Sequence, residues 1–145
     1  MRLYLDTNVY NRPFDDQAVP KNREETEAVR RLLVKVSAGG VDLVSSFVVE
    51  TEHALPPFDV RREEVGRLID LAEERVRPDS GIMRRARNLE EAGLKGRDAL
   101  HLAVAEHATV DYFVTCDDKL LRKARRLGCS IRVVLPTELL EEGTV

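Results

Sequence analysis

Cysteine is scarce in this chain of 145 residues, which holds only Cys116 and Cys129. Two cysteines build neither the disulfide framework of a small secreted protein nor a cysteine-rich zinc site. Both are expected as free thiols in or near the core. Histidine is almost as rare: His53, His101 and His107 lack the spacing of a paired zinc motif such as H-E-x-x-H. No apolar run approaches the roughly 20 residues that span a bilayer. Met1 leads straight into Leu3, Tyr4 and Leu5, without a charged-then-apolar leader. The expectation is a soluble, cytoplasmic protein with no membrane association. No internal repeat, low-complexity tract or linker breaks the chain, so residues 1–145 are expected to form one domain.

What is present is an ordinary globular composition, with 43% hydrophobic residues. The formal net charge of −3 does not advertise a nucleic-acid binder. Local patches matter more than the total, however. Lys119, Arg122, Lys123, Arg125, Arg126 and Arg132 follow one another with no acidic residue among them. They make either a solvated helix face or a phosphate-contacting one.

Short apolar runs alternate with helical periodicity. Leu3–Leu5, Val41–Val44, Tyr112–Thr115 and Ile131–Val134 read as strands, with 76–78 as a short extended piece. Helices are expected over 24–38, 47–55, 59–75, 80–92, 96–108, 118–127 and 136–142, and 11–22 reads as an irregular loop. Ser45 and Ser46 are good N-caps for the helix that follows them, and Pro56-Pro57 should break it. Alternation of this kind predicts an α/β class, with a mainly parallel central sheet and helices on both faces.

In an open α/β sheet, functional groups gather beyond the carboxyl ends of the strands. Asp6 ends the first strand, and Asp117 and Asp118 follow the strand over 112–115. Asp98 opens a helix. Glu50 and Glu52 lie about 200° apart around theirs, so only one can face the rim. Glu52 is preferred, one turn after the core-facing Val48. Each acid also has a purely structural reading, as a turn former, an N-cap or a solvated side chain. Together at one buried rim they would repel and raise each other's pKa unless a cation neutralised them. Carboxylate and water oxygens suit Mg²⁺ or Mn²⁺. Such chemistry needs no catalytic serine, cysteine or histidine, and the sequence offers no convincing triad.

Four segments carry a resemblance: Leu5-Asp6-Thr7-Asn8-Val9, Ser45-Ser46 with Glu52, Asp98-Ala99-Leu100-His101-Leu102-Ala103, and Thr115-Cys116-Asp117-Asp118. In this order and spacing they resemble the PIN-domain family, which includes the toxins of bacterial and archaeal toxin–antitoxin pairs. The resemblance implies a Rossmann-like sheet, an acidic Mg²⁺ or Mn²⁺ site and hydrolysis of RNA. It implies Asp6, Glu52, Asp98 and Asp117 as the acidic site, with Asp6, Asp98 and Asp117 on the metal. Thr7, Asn8 and Thr115 would support them by hydrogen bonds, and Asp118 would be an outer carboxylate. If the cationic cluster is the phosphate-contacting face, Lys119, Arg122, Lys123 and Arg126 would contact nucleic acid. A water would attack a backbone phosphate in line, leaving 5′-phosphate and 3′-hydroxyl ends. Because that attack does not use the 2′-hydroxyl, RNA is favoured over DNA by the family analogy alone. An antitoxin encoded elsewhere and a homodimer are further expectations from the family.

Two other readings compete. An aspartyl phosphotransferase would pair Asp6 with a second aspartate two residues on, where Asn8 stands instead. An inert PIN-like module would bind RNA or protein without cleaving, although all four candidate acids are present.

Overall fold

Leu3, Tyr4 and Leu5 are wholly inaccessible to solvent in the computed structural model, as expected for a strand covered on both faces. The structure describes residues 1–55 and 59–143. Among them are five strands: β1 (Arg2–Leu5), β2 (Asp42–Ser46), β3 (Glu74–Val76), β4 (Tyr112–Val114) and β5 (Arg132–Val134). They form one sheet in the order β3-β2-β1-β4-β5, and every pairing is parallel.

Eight α-helices connect and close the described strands. They are α1 (Thr7–Asn11), α2 (Pro20–Ser37), α3 (Phe47–His53), α4 (Val60–Ile69), α5 (Ser80–Glu91), α6 (Gly96–His107), α7 (Asp118–Leu127) and α8 (Pro136–Glu141). From β1 the chain steps outward to β2 and β3, then crosses back to β4 and out to β5 on the other side. Parallel crossovers are right-handed as a rule, and running in these opposite directions they are expected to put helices on both faces of the sheet. Between β1 and β4 the strand order reverses, and a crevice beyond the strand ends is expected there. None of the described helices is long and apolar enough to cross a membrane.

Register fixes what meets at that crevice. Leu5 stands opposite Val114. The ladder continues one residue further, with Asp6 N–H donating to the Val114 carbonyl at 2.9 Å and Thr115 N–H to the Val134 carbonyl at 3.0 Å. Asp6 and Thr115 therefore leave adjacent strands at the same level.

Several boundaries differ from the sequence reading, each for a local reason. Helix α2 begins at Pro20 rather than residue 24, because proline at the first helical position lacks only an N–H that would go unbonded anyway. The expected loop over 11–22 instead takes in the end of α1 and a 3-10 turn, Arg12–Phe14. Hydrogen bonds from Gln17 to the Arg12 and Asp15 carbonyls and from Thr26 to the Arg12 carbonyl hold this segment. The helix expected over 59–75 stops at Ile69, and residues 74–76 pair with β2 as an edge strand. Glu74 and Arg75 are exposed there, so the apolar alternation that marks a strand is missing. Helix α3 is bounded at His53, and the expected break at Pro56-Pro57 lies outside the described residues. Helix α7 ends as its sequence predicts, with Gly128 in the left-handed conformation at φ 65°.

Candidate active site

Asp6 is 2% exposed, so its carboxylate oxygens need donors within the protein. Oδ2 accepts from the Thr115 hydroxyl at 2.9 Å and from Asn8 Nδ2 at 3.1 Å. Asn8 also accepts the Cys116 N–H at 3.0 Å, which staples the start of α1 to the end of β4. Thr115 in turn accepts the Asp117 N–H at 3.1 Å. Oδ1 is buried and has no hydrogen-bond partner. An anionic oxygen left this way is costly unless something cationic takes it up.

Glu52 enters from α3. Ser46 caps that helix by accepting from the Val48 and Val49 N–H groups, which sets the helical phase. Val48 then faces the core, and Glu52 follows it one turn later on the same side. Its carboxylate accepts from the Thr7 hydroxyl at 3.0 Å, and it meets His101 Nε2 and the Arg97 guanidinium. Burial pushes the Glu52 carboxyl up, but the hydrogen bond from His101, the electrostatic pull of Arg97 and the Thr7 bond outweigh it. The net direction is down. Glu50 points elsewhere: it is exposed and pairs with Arg75 at 3.4 Å.

Asp98 sits in the first turn of α6, where a carboxylate complements the positive end of the helix. Its carboxyl is nevertheless pushed up, first by burial and then by the charges of Asp6 and Asp117, against the pull of Arg97. Mutual repulsion of this kind marks carboxylates that share one region. Asp117 performs the capping duty its position suggests, with Oδ1 accepting from the Lys119 and Leu120 N–H groups. Asp118 is engaged by Lys21 at 3.7 Å.

His101 is the site residue that the sequence reading passed over. It is fully buried, with Nδ1 2.7 Å from the Tyr4 hydroxyl and Nε2 on Glu52 and 3.6 Å from Asp6 Oδ1. A signal was available, because it lies three residues after Asp98 on one helical face, as a single polar side chain within the apolar run Ala99–Ala105. Arg97 was missed for a different reason: its importance lies in a partner 45 residues away.

The basic segment divides. Arg125 donates to Glu138 and to the Val133 carbonyl, and Arg132 pairs with Glu142 while lying 5.2 Å from the Tyr112 ring centre. These two cations hold α7, β5 and α8 together. Lys123 reaches the Gly93 carbonyl at 3.4 Å, whereas Lys119, Arg122 and Arg126 are exposed. Cys116 and Cys129 are free thiols, one buried and one half-buried.

Among the described residues, no three His, Cys, Asp or Glu side chains are arranged to hold a metal ion by themselves. The chemistry of the donors still fits a hard cation: Asp6 offers an unpartnered buried oxygen, and Asp98 carries charge that its acidic neighbours disfavour. Mg²⁺ in particular relies on one or two carboxylates and keeps several waters, so a closed protein cage is not required.

A solved structure, VapBC2 from Rickettsia felis bound to a DNA fragment from their promoter, superimposes with a TM-score of 0.61. At 13% identity, over 93% of this chain and 98% of the other, the likeness is one of fold. No match was found among curated proteins. The sequence matches the PIN domain description over residues 3–126, which takes in β1 through most of α7 and all four candidate acids, and the chain belongs to the PIN-domain family.

Proposed function

We propose that this protein is a metal-dependent endoribonuclease that hydrolyses RNA phosphodiester bonds, and that it serves as the toxin of a toxin–antitoxin pair. One observation carries the reading: the buried Asp6 Oδ1 has no hydrogen-bond partner, while the Asp98 carboxyl is raised by burial and then by the charges of Asp6 and Asp117. Asp6, Asp98 and Asp117 would hold Mg²⁺ or Mn²⁺. Such an ion supplies activation of water and neutralisation of phosphate charge.

The side chains have distinct work in this scheme. Thr115 and Asn8 fix Asp6 through Oδ2 and leave Oδ1 without a hydrogen-bond partner. Glu52, kept ionised by its partners, would accept a hydrogen bond from the attacking water and orient it, with the proton passing to solvent. Arg97, exposed and cationic, can exchange Glu52 for a substrate phosphate. Lys119, Arg122 and Arg126 supply positive charge along the exposed side of α7, with Lys123 beside them. The partners are an RNA substrate, an antitoxin protein and a second copy of the chain. RNA rather than DNA is the substrate by family likeness, since the attack makes no use of the 2′-hydroxyl.

The test is cleavage of single-stranded RNA and DNA oligonucleotides with Mg²⁺, with Mn²⁺ and with EDTA, comparing wild type with Asp6→Asn. Metal-dependent RNA cleavage that Asp6→Asn abolishes supports the proposal; undiminished cleavage in EDTA removes it. A second reading draws on the saturation of Glu52 by Thr7, His101 and Arg97. On that reading the domain is an inert module that retains RNA without cutting it, and the same assay distinguishes the two.

A further inference from the structure

We propose that His101 is a positioning residue for Glu52, held in one tautomer by a directional chain of hydrogen bonds that begins at the N-terminus of α3. The chain crosses four elements: Ser46 at the end of β2, Tyr4 on β1, His101 on α6 and Glu52 on α3. Ser46, Tyr4 and His101 are all inaccessible to solvent, so no water can supply an alternative partner.

Its direction follows from counting protons and lone pairs. Ser46 Oγ accepts from the Val48 N–H at 3.2 Å and the Val49 N–H at 3.3 Å. Those two bonds occupy both lone pairs of a hydroxyl oxygen. The Ser46 proton must then go to the Tyr4 oxygen, 2.7 Å away. Tyr4 keeps its own proton, and its other partner is His101 Nδ1 at 2.7 Å. Nδ1 therefore accepts, which assigns the ring proton to Nε2. Nε2–H faces the Glu52 carboxylate and donates to it.

The opposite arrangement fails at two points. A bare Nε2 would set its lone pair against an anionic carboxylate oxygen. A proton on Nδ1 would face the Tyr4 proton, which has no free lone pair on Ser46 to turn to. A buried polar network is stable only when every member is satisfied, and one arrangement does that here.

This assignment has a consequence for the acids. Nε2 carries a single proton, and Glu52 receives it. Asp6 Oδ1, 3.6 Å from the same nitrogen, is left without a donor. One ring thus orients Glu52 while keeping an Asp6 oxygen open. The tautomer does not depend on the proposed nuclease activity; its importance for cleavage does.

Two measurements separate these claims. Long-range proton–nitrogen correlation spectra of metal-free protein labelled with ¹⁵N-histidine read the tautomer directly, with the His101 signals identified by their loss in His101→Gln. The expected result is a pure Nε2–H ring in wild type and a shifted Nδ1 resonance in Tyr4→Phe, which removes the donor to Nδ1. An Nδ1–H ring, a tautomer mixture or an imidazolium in wild type would overturn the proposal, as would an unchanged spectrum in Tyr4→Phe. For cleavage, His101→Leu should be slower by roughly 10–100-fold with RNA affinity retained. His101→Gln, whose amide can donate from the place of Nε2, should recover about tenfold of that loss. Equal rates for the Leu and Gln variants would contradict positioning through the donated proton. Absence of cleavage by wild type would sink the nuclease reading, leaving the spectra to decide the tautomer.

Discussion

The Thr115 hydroxyl donates to Asp6 Oδ2 at 2.9 Å, across the junction of the two strands where the order of the sheet reverses. Both side chains are buried, and 109 residues separate them in sequence. Thr115→Val keeps the shape and removes the donor. A hydrogen bond to a charged group contributes about 1.5–3 kcal/mol, and urea denaturation of the variant should show a loss in that range. An unchanged midpoint would mean that Asp6 does not depend on this bond.

A second prediction concerns Glu25, a carboxylate that is 2% exposed on the inner side of α2. Arg12 lies 3.2 Å from it and Lys21 2.9 Å, and Lys21 also donates to the Cys116 carbonyl at 3.0 Å. Glu25→Leu removes the buried carboxylate from Arg12, which keeps Asp15 at 3.1 Å and Asn22 at 2.6 Å, so the loss should stay below the ~3–5 kcal/mol of a buried charge left alone. The exposed Arg31–Glu27 pair on the same helix offers the contrast, since Glu27→Ala should change stability by less than about 0.5 kcal/mol. Equal effects at the two positions would refute this assignment.

Thiol chemistry tests the burial of the loop after β4. Burial and the nearby Glu25 charge push the Cys116 thiol up to about 12, so it stays protonated at neutral pH. Cys129 is half-buried and also pushed up. Native protein should therefore react with a disulfide reagent slowly and at Cys129 first, and with both thiols only after denaturation. Rapid labelling of Cys116 in the native state would contradict the structure.

Much of this architecture was legible in the sequence, for identifiable reasons. Apolar runs too short for helices and glycine stops such as Gly128 marked the sheet and its crossovers. The phase of α3 separated Glu52 from Glu50 because Val48 anchored it. Three things were hidden. Strand β3 lies at an edge and carries Glu74 and Arg75 outward, so it lacks a strand's pattern. Helix α1 is only five residues long and follows Asp6 without a side-chain cap. His101 draws its meaning from Tyr4 and Glu52, 97 and 49 residues away, which periodicity does not register.

Asp98 supplies a prediction about pH. Burial, followed by repulsion from Asp6 and Asp117, raises its carboxyl above the ordinary value of 3.8. A carboxyl raised on folding favours the folded state only while protonated; the advantage is lost as pH rises, and the full cost of ionisation is present above the folded pKa. In the absence of metal, Asp98→Asn should therefore be more stable than wild type near pH 7. That margin should vanish as the pH is lowered through the folded value towards 3.8 and below. Melting temperatures across pH 3 to 7 measure it, and a margin independent of pH would rule out carboxylate crowding as its source.

The central claim is that Asp6 and Asp98, with Asp117, form a place for a divalent cation. Calorimetric titration of Mn²⁺ into metal-free wild type, Asp6→Asn and Asp98→Asn tests it without requiring a substrate. The account predicts saturable binding to wild type, weakened at least about tenfold in each variant, or about 1.4 kcal/mol. Binding of equal strength in all three proteins would contradict it.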